Sequence, residues 1–381
     1  MDNGFFASIS HDLRTPLNSI IGFAKLAGEE SDNKDNLREY LDKIVTSGEF
    51  LLDIVNDIMD LARIDNGEVE LMKSPAILKN IVLESADSFH DKMNEKQVYF
   101  EVDVDSLEDD PVECDKQRVR QVLTNLLSNA YKYTPQRGKV SLKAALIEKG
   151  DQLTYEIRVS DTGIGMSEDF IKRIWEPYPE EELVTVSENQ GTGLGMALVH
   201  RIINMMGGKI DVTSELGRGS EFVITLKMPP SKADPSKIRE NEHLAGAGPI
   251  DYSDITVLVV DDTVANLHLS DKTLRKLGFN VKIITSGAAA VQLIKNSRPG
   301  DIDIVLMDIR MPVMDGLEAT AQIRALDNEN LASIPIIAMT ANAFNEDVKK
   351  ALDAGMNAHV AKPFNVSDLL EKINACLDEE D

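Results

Sequence analysis

The 381-residue chain reads as three folded parts in series: an α-helical hairpin, a mixed α/β domain and a doubly wound parallel α/β domain. Three observations predict this. Heptad-like apolar stripes run through residues 3–65, helix and strand patterns mix over 66–228, and five strand-then-helix units follow residue 255. The pattern changes set the expected domains at 1–65, 66–228 and 255–381, with a linker at 229–254.

In the first helix, over 3–28, Phe6, Ile9, Leu13, Leu17, Ile20, Ala24 and Ala27 recur every three or four residues. Leu37, Leu41, Ile44, Gly48, Leu51, Val55, Ile58 and Ala62 do the same in the second, over 35–65. Two such helices cannot enclose a core by themselves, so the stripes predict a homodimer that closes a four-helix bundle. At ~100° per residue His11 falls roughly 160° from the first stripe and faces solvent.

It stands in Ser10-His11-Asp12-Leu13-Arg14-Thr15-Pro16-Leu17-Asn18. Imidazole is a nucleophile near neutral pH, Asp12 can hold its tautomer and accept the displaced proton, and Thr15 one turn on can position a water. Pro16 would bend the helix, a strange choice for a purely structural coil. A lone surface histidine is ordinarily just that; the whole nonapeptide carries the signal.

The mixed domain is expected to hold helices near 76–95, 115–132 and 194–206 and strands near 139–147, 153–160, 209–214 and 220–227. The segment Arg118-x-x-Gln121-x-x-x-Asn125-Leu-Leu-Ser-Asn129-Ala-Tyr-Lys132-Tyr133 puts Asn125, Asn129 and Lys132 on adjoining helical positions. Amide oxygens there can complete a Mg²⁺ shell, and Lys132 can offset phosphate charge. Asp161-Thr162-Gly163-Ile164-Gly165 follows a strand, where a carboxylate can accept from an exocyclic amine and glycines let the chain turn close to a flat ligand. Gly191-Thr192-Gly193-Leu194-Gly195 then opens a helix, aiming backbone N–H groups at an anion. Met196 or Leu198 stands where a dinucleotide fingerprint needs its third glycine, and no Gly-x-x-x-x-Gly-Lys-Ser/Thr loop occurs.

Residues 229–254 combine Pro229, Pro230, Pro235 and Pro249 with Ala245-Gly246-Ala247-Gly248 and no apolar period. Beyond them the apolar runs 255–260, 281–284, 304–307, 335–339 and 358–361 alternate with amphipathic helices. Asp261 and Asp262, Asp308, Thr340 and Lys362 each follow one of these runs. A parallel sheet brings all such ends to one edge, where converging carboxylates call for a cation and Mg²⁺ is the natural one. An aspartate there can attack a phosphoryl group whose oxygens Thr340 and Lys362 bind.

Composition narrows the class. A net charge of −25 argues against nucleic acid or an anionic membrane as a direct partner, and no segment dominates that charge. Cys114 and Cys376 are too few and too far apart for a zinc cluster or disulfide framework, which fits a cytoplasmic setting. No apolar run approaches the ~20 residues of a membrane span.

The three ordered motif sets identify the chain as similar to hybrid sensor histidine kinases. The nonapeptide resembles their phosphoacceptor box; the Asn, Asp-Gly and Gly blocks resemble the two-layer sandwich shared by histidine kinases, gyrase-type ATPases and Hsp90-type chaperones. The last domain resembles a flavodoxin-like response-regulator receiver. The resemblance implies phosphorylation of His11 from ATP with Asp12 as acid/base and Thr15 assisting the reverse reaction. It implies a nucleotide site in which Asn125 and Asn129 form the Asn box with Asn129 on Mg²⁺, Lys132 nears phosphate and Asp161 reads adenine. Tyr133, Gly163, Gly165, Gly191, Gly193, Leu194 and Gly195 would shape that pocket, Trp175-Glu176-Pro177-Tyr178 an aromatic box and 179–192 a lid.

Asp308 would then accept the phosphoryl group, with Asp261, Asp262, Asp308 and the Arg310 carbonyl serving Mg²⁺ and with Thr340 and Lys362 completing the switch. His359 departs from the aromatic residue usual three positions before that lysine. An upstream sensor and a separate histidine-phosphotransfer protein or response regulator are the expected partners. The rivals are a phosphatase-dominant regulator or phosphate sink, a non-catalytic dimeric scaffold, and an ATPase or chaperone.

Overall fold

The structure, a computed structural model, describes residues 3–30, 33–177, 193–235, 238, 252–340, 345–362 and 366–378. They fall into two compact units, Met1–Pro235 and Ser236–Asp381.

The first unit opens with α1 (Asn3–Glu29) and α2 (Lys34–Asp65). Asn33 caps α2 by accepting from the Asn36 N–H, and Glu30 accepts from Asn36 Nδ2 at 2.7 Å and the Tyr40 hydroxyl at 3.0 Å. These bonds fix the turn, and Phe23 stacks on Tyr40 just below it at 6.0 Å. Little of the hairpin is buried. Ile54 and Leu61 are, yet Leu17, Leu41 and Val55 of the sequence stripes stay 46%, 49% and 41% exposed, alongside Ile21, Val45 and Met59. One hairpin covers only part of its apolar surface, as two helices must.

The rest of this unit runs β1 (Ser74–Ile77), α3 (Leu78–Glu95), β2 (Tyr99–Asp103), β3 (Pro111–Cys114), α4 (Lys116–Tyr133), β4 (Lys139–Lys149), β5 (Leu153–Asp161), α5 (Glu168–Arg173), α6 (Gly195–Met205), β6 (Lys209–Glu215) and β7 (Gly219–Met228). The five-stranded sheet has the order β2-β4-β5-β7-β6, with β2 parallel to β4 and the other pairs antiparallel. Apolar faces of α3, α4 and α6, carrying Ile81, Leu123 and Leu198, pack into one core with Leu142, Ile157 and Ile224 of the sheet. That is a two-layer sandwich. The pair β1–β3, the strand β2 and the short helix α5 were not foreseen, being four to six residues long and too short to show a period. Residues 229–231 stay with this layer: the Pro229 carbonyl accepts from Glu113 N–H, and Ser231 N–H donates to the Pro111 carbonyl.

The second unit comprises β8 (Thr256–Val260), α7 (Val264–Lys276), β9 (Asn280–Ile284), α8 (Gly287–Asn296), β10 (Ile304–Asp308), α9 (Gly316–Arg324), α10 (Glu329–Ala332), β11 (Ile336–Thr340), α11 (Asn345–Asp353), β12 (Ala358–Ala361) and α12 (Val366–Asp378). Its sheet is wholly parallel in the order β12-β11-β10-β8-β9. Alternate strand residues enter two cores, Leu258, Val305 and Ile336 on one face and Val257, Ile304 and Ile337 on the other. Burial on both faces explains why these strands read as unbroken apolar runs. Tyr252 belongs here, stacked on Phe279 at 4.2 Å with its hydroxyl donating to Asn374.

One loop residue is held against its preference. Val313 has φ of 71° and a side chain fully open to solvent. A left-handed β-branched residue costs ~1–2 kcal/mol, and this one recovers nothing by packing. Val313→Asn is therefore expected to raise the stability of the second unit by about 1 kcal/mol, read as a higher calorimetric midpoint; an unchanged or lower midpoint would contradict it.

Candidate functional site

Three groups of residues carry chemistry. On α1, His11 Nδ1 lies 3.0 Å from Asp12 Oδ1, with the histidine side chain 68% exposed. With the proton on Nδ1 and donated to Asp12, the lone pair of Nε2 is left for an electrophile. The Thr15 hydroxyl donates to the His11 carbonyl at 3.2 Å, so here it serves the helix rather than the imidazole. Pro16 lies inside α1 and is buried, and its missing N–H leaves the Asp12 carbonyl without its helical donor.

The second group surrounds the end of β5. Asp161 Oδ1 accepts from the Gly163 N–H at 2.7 Å. Burial raises the carboxyl's pKa above its ordinary value, and the backbone N–H groups of Gly163 and Ser220 offset this only in part. The glycines here are steric requirements: a Cβ at Gly163 would stand 2.6 Å from the Tyr133 carbonyl oxygen, and one at Gly165, where φ is +67°, 2.0 Å from that of Glu215. The turn after β5 is thereby pressed against the C-terminus of α4.

That helix carries Asn125 and Asn129, both half-buried, and ends in Lys132 and Tyr133, whose ammonium and ring are 4.7 Å apart. A Cβ at Gly195 would meet Asn125 Oδ1 at 3.0 Å, so the first residue of α6 abuts the Asn-bearing face. Gly193 takes a positive φ of 62°, and Leu194 is wholly buried beneath the turn. Trp175 stacks on His200 of α6 at 5.1 Å. Thus α4, the β5 turn and the α6 N-terminus meet around one region. Gly191, Tyr178 and the segment 179–192 lie outside the described residues.

The third group lies at the C-terminal edge of the parallel sheet. Carboxylate oxygens of Asp261, Asp262 and Asp308 all lie within 4.8 Å of one another, and Lys362 Nζ reaches Asp261 at 2.5 Å and Asp308 at 2.7 Å. Asp261 and Asp308 are 1% and 9% exposed. Burial raises the Asp308 pKa while the Lys362 ammonium opposes the rise. Thr340 is buried, and its carbonyl accepts from the Lys362 N–H at 2.6 Å. The Arg310 N–H donates to Asp308 Oδ1 at 3.2 Å. A Cβ at Gly316 would fall 2.2 Å from the Asp308 carbonyl oxygen, which makes glycine obligatory beside the aspartate. Three hard oxygen donors this close fit a divalent cation such as Mg²⁺. His359, half-buried toward Asp368 and Lys372 of α12, has a lowered pKa, chiefly from burial.

Sequence reasoning missed some partners. Asn266 Nδ2 bonds both Asp261 oxygens, at 3.2 and 3.1 Å, one turn into α7. Lys96 Nζ caps α4 by donating to the Tyr131 and Lys132 carbonyls. Asp60 of α2 accepts from Arg118 and Gln121, residues whose spacing was noted but whose partner was not.

The chain matches the His Kinase A (phospho-acceptor) domain over residues 1–67, the histidine kinase-, DNA gyrase B- and HSP90-like ATPase over 114–230, and the response regulator receiver domain over 257–374. The chain belongs to the hybrid sensor histidine kinases. It is 32% identical over 374 residues to the autoinducer 2 sensor kinase/phosphatase LuxQ of Vibrio vulnificus, covering 97% of this chain and 42% of the relative. To the aerobic respiration control sensor protein ArcB of Escherichia coli it is 32% identical over 379 residues, 99% of this chain and 46% of the relative. It thus spans less than half the length of these relatives. Full-length ShkA, solved in complex with AMPPNP, is 23% identical with a TM-score of 0.46, covering 98% of each chain. The ATPase domain of this hybrid kinase implies ATP binding. Among the described residues, no helix is long and apolar enough to cross a membrane.

In the kinase chain the position of Asp161 works against the fold. Its folded pKa is raised, so the folded state binds that proton more tightly than the unfolded chain does; the resulting stabilisation is full below the ordinary aspartate pKa and is lost as pH rises through the folded value. Above the folded value that help is gone. Asp161→Asn is expected to raise the thermal midpoint at pH 7 and to narrow the gain on acidification toward the ordinary aspartate pKa; a lower midpoint at pH 7 would contradict the desolvation cost.

Proposed function

We propose that the chain is the phosphotransfer core of a two-component phosphorelay, with domains at 1–65, 66–228 and 255–381 joined by the 229–254 linker. The observation that carries this is a solvent-facing His11, its Nδ1 held by Asp12, in one chain with an ATPase fold and an aspartate cluster at a parallel sheet's C-terminal edge. ATP binds where α4, the β5 turn and α6 meet: Asp161 accepts from the adenine amine, Lys132 offsets phosphate charge, and backbone N–H groups at the Gly193–Gly195 start of α6 face the phosphates. His11 Nε2 attacks the γ-phosphorus; an N–P bond forms, the P–O bond to ADP breaks, and Asp12 stabilises the Nδ1 proton. Asp308 Oδ then displaces the imidazole from the same phosphorus, returning its lone pair to Nε2, while Lys362 and Thr340 bind the transferred oxygens. Asp261, Asp262, Asp308 and the Arg310 carbonyl in the receiver, and Asn129 in the nucleotide site, would hold Mg²⁺, which would neutralise charge on phosphate oxygens. Thr15 serves the reverse hydrolysis by releasing the His11 carbonyl and holding a water.

The working form is a homodimer. Leu17, Ile21, Leu41, Val45, Val55 and Met59 leave an apolar surface on the hairpin, and a second copy would cover it to close a four-helix bundle. Signal enters from a sensor region or protein, and the phosphoryl group passes on to a separate histidine-phosphotransfer protein or response regulator. The setting is cytoplasmic.

Labelling with γ-radiolabelled ATP tests the route. His11→Gln should reduce incorporation to background and Asp308→Asn should keep label on His11; label persisting in His11→Gln would overturn the assignment. Asp161→Asn should weaken binding of a fluorescent ATP analogue roughly 10–100-fold, the worth of one charge-assisted hydrogen bond. For the bundle, Leu41→Lys with Val45→Lys should convert a dimer to monomer in sedimentation velocity, and an unchanged dimer would place the interface elsewhere.

A further inference from the structure

Asp261 is the most deeply buried of the three carboxylates at the edge of the parallel sheet, and its donors come from separate places in the chain. Its Oδ1 accepts from the Thr263 N–H at 2.8 Å, and its Oδ2 from Lys362 Nζ at 2.5 Å. Asn266 Nδ2 serves both oxygens, 3.2 Å from Oδ1 and 3.1 Å from Oδ2.

Helix geometry puts that amide there. Thr263 is the N-cap of α7 and makes no side-chain cap bond, and Asn266 is the third residue of the helix. Side chains lean toward the N-terminus of their helix, so the Asn266 amide reaches back over the end of β8.

Lys362 is needed in two places. Its ammonium bridges Asp261 and Asp308, at 2.5 and 2.7 Å. Once Asp308 carries a phosphoryl group, the oxygens that require the ammonium lie a P–O bond farther out, and drawing Lys362 toward them takes it from Asp261. A buried carboxylate that loses its cation is costly, and the cost falls on the transfer unless another donor stays on the same oxygen. Asn266 shares Oδ2 with Lys362 and is that donor. Its neutrality suits the task, because a second cation beside Asp261 would cancel the negative charge that suits the cluster to a divalent ion.

We infer that Asn266 is a positioning residue for phosphoryl transfer to Asp308: its amide keeps the Asp261 carboxylate satisfied and oriented, so that the Lys362 ammonium can leave it for the transferred oxygens. The inference rests on the proposed roles of Asp308 and Lys362. Asn266 itself touches neither the phosphoryl group nor Asp308.

The test uses the full chain with His11→Gln as parent, so that Asp308 takes label only from radiolabelled acetyl phosphate. An Asp308 oxygen attacks the phosphorus, an O–P bond forms, the P–O bond to acetate breaks, and acetate leaves with the electron pair. Initial rates are read against Mg²⁺ and donor concentration, and Mg²⁺ affinity is measured by calorimetry without nucleotide or phosphodonor. Asn266→Leu, which keeps a side chain of similar size and loses the amide, should cut the maximal labelling rate about tenfold, the worth of one hydrogen bond to a charged group. Its Mg²⁺ affinity should stay within threefold of the parent. Asn266→Asp, nearly isosteric, should bind Mg²⁺ at least as tightly and still label more slowly, since its own charge holds Lys362 back. A merely structural role would not separate the two readouts in that direction. A maximal rate within twofold of the parent in both variants, or a loss in Asn266→Leu that saturating Mg²⁺ restores, would overturn the assignment. Failure of the underlying reading is separate: the parent would then take no label, or Asp308→Asn in the same background would keep it.

Discussion

A carboxylate at the C-terminal end of a buried strand is the constraint on which both α/β parts depend. Asp161 ends β5, Asp308 ends β10, and Asp261 follows β8. Each sits at the mouth of a core that disfavours its charge, and burial raises the pKa of Asp161 and Asp308. The two parts compensate differently. Around Asp161 the help comes from neutral backbone N–H groups of Gly163 and Ser220, which leaves the carboxylate free to accept from a neutral amine. In the second unit the Lys362 ammonium spans Asp261 and Asp308, a full charge facing three carboxylates. That remaining negative charge suits a divalent cation rather than a nucleobase.

Both placements also dictate where glycine must stand. The chain returning past Asp308 comes so close at Gly316 that any Cβ would overlap the aspartate's carbonyl, and Gly219 stands in the same relation to the Asp161 carbonyl, with φ of +101°. These glycines belong to the carboxylate sites as much as the acids do, since without them the neighbouring loop cannot close over the strand end. The hairpin obeys the reverse logic. The proposed transfer asks that His11 be exposed, as it is, with one polar neighbour, Asp12, on its own helix.

This difference decides what the sequence could reveal. The parallel unit was legible almost throughout, because five apolar runs announce five strands and topology alone sends Asp261, Asp308, Thr340 and Lys362 to one edge. The glycine-bearing turn after Asp161 was legible for the same local reason. Contacts spanning long separations left no local signal: Arg118 and Asp60 are 58 residues apart, and Arg201 and Asp65 are 136 apart. Asn266 was hidden because an asparagine in the first turn of a helix reads as a surface residue. The heptad stripes were correct in period but silent on partition, since a stripe does not say which of its members the second helix covers. Leu17 and Val55 of the stripes remain exposed, whereas Leu61, which lies outside the stripe, is buried in the core of the mixed α/β layer.

The helix α4 links these scales. Its N-terminus is capped by Asp115, whose other oxygen accepts from the Met72 N–H, and its first turns reach Asp60 on α2 through Arg118 and Gln121. Its middle presents Asn125 and Asn129, and its last carbonyls are held by Lys96, whose ammonium is partly desolvated for the purpose and lies 4.7 Å from the Tyr131 ring. A cation at the C-terminus and a carboxylate cap at the N-terminus both oppose fraying, and the apolar face from Val119 to Ala130 is buried along its length. Eighteen residues fixed in this way make a rod of about 27 Å. A displacement at Arg118 is therefore carried to Asn125 and Asn129 as a rigid movement rather than absorbed between them. The hairpin and the nucleotide region are joined along α4 through Asp60, beside the apolar packing of Ile58, Leu61 and Ile64 of α2 against the same core.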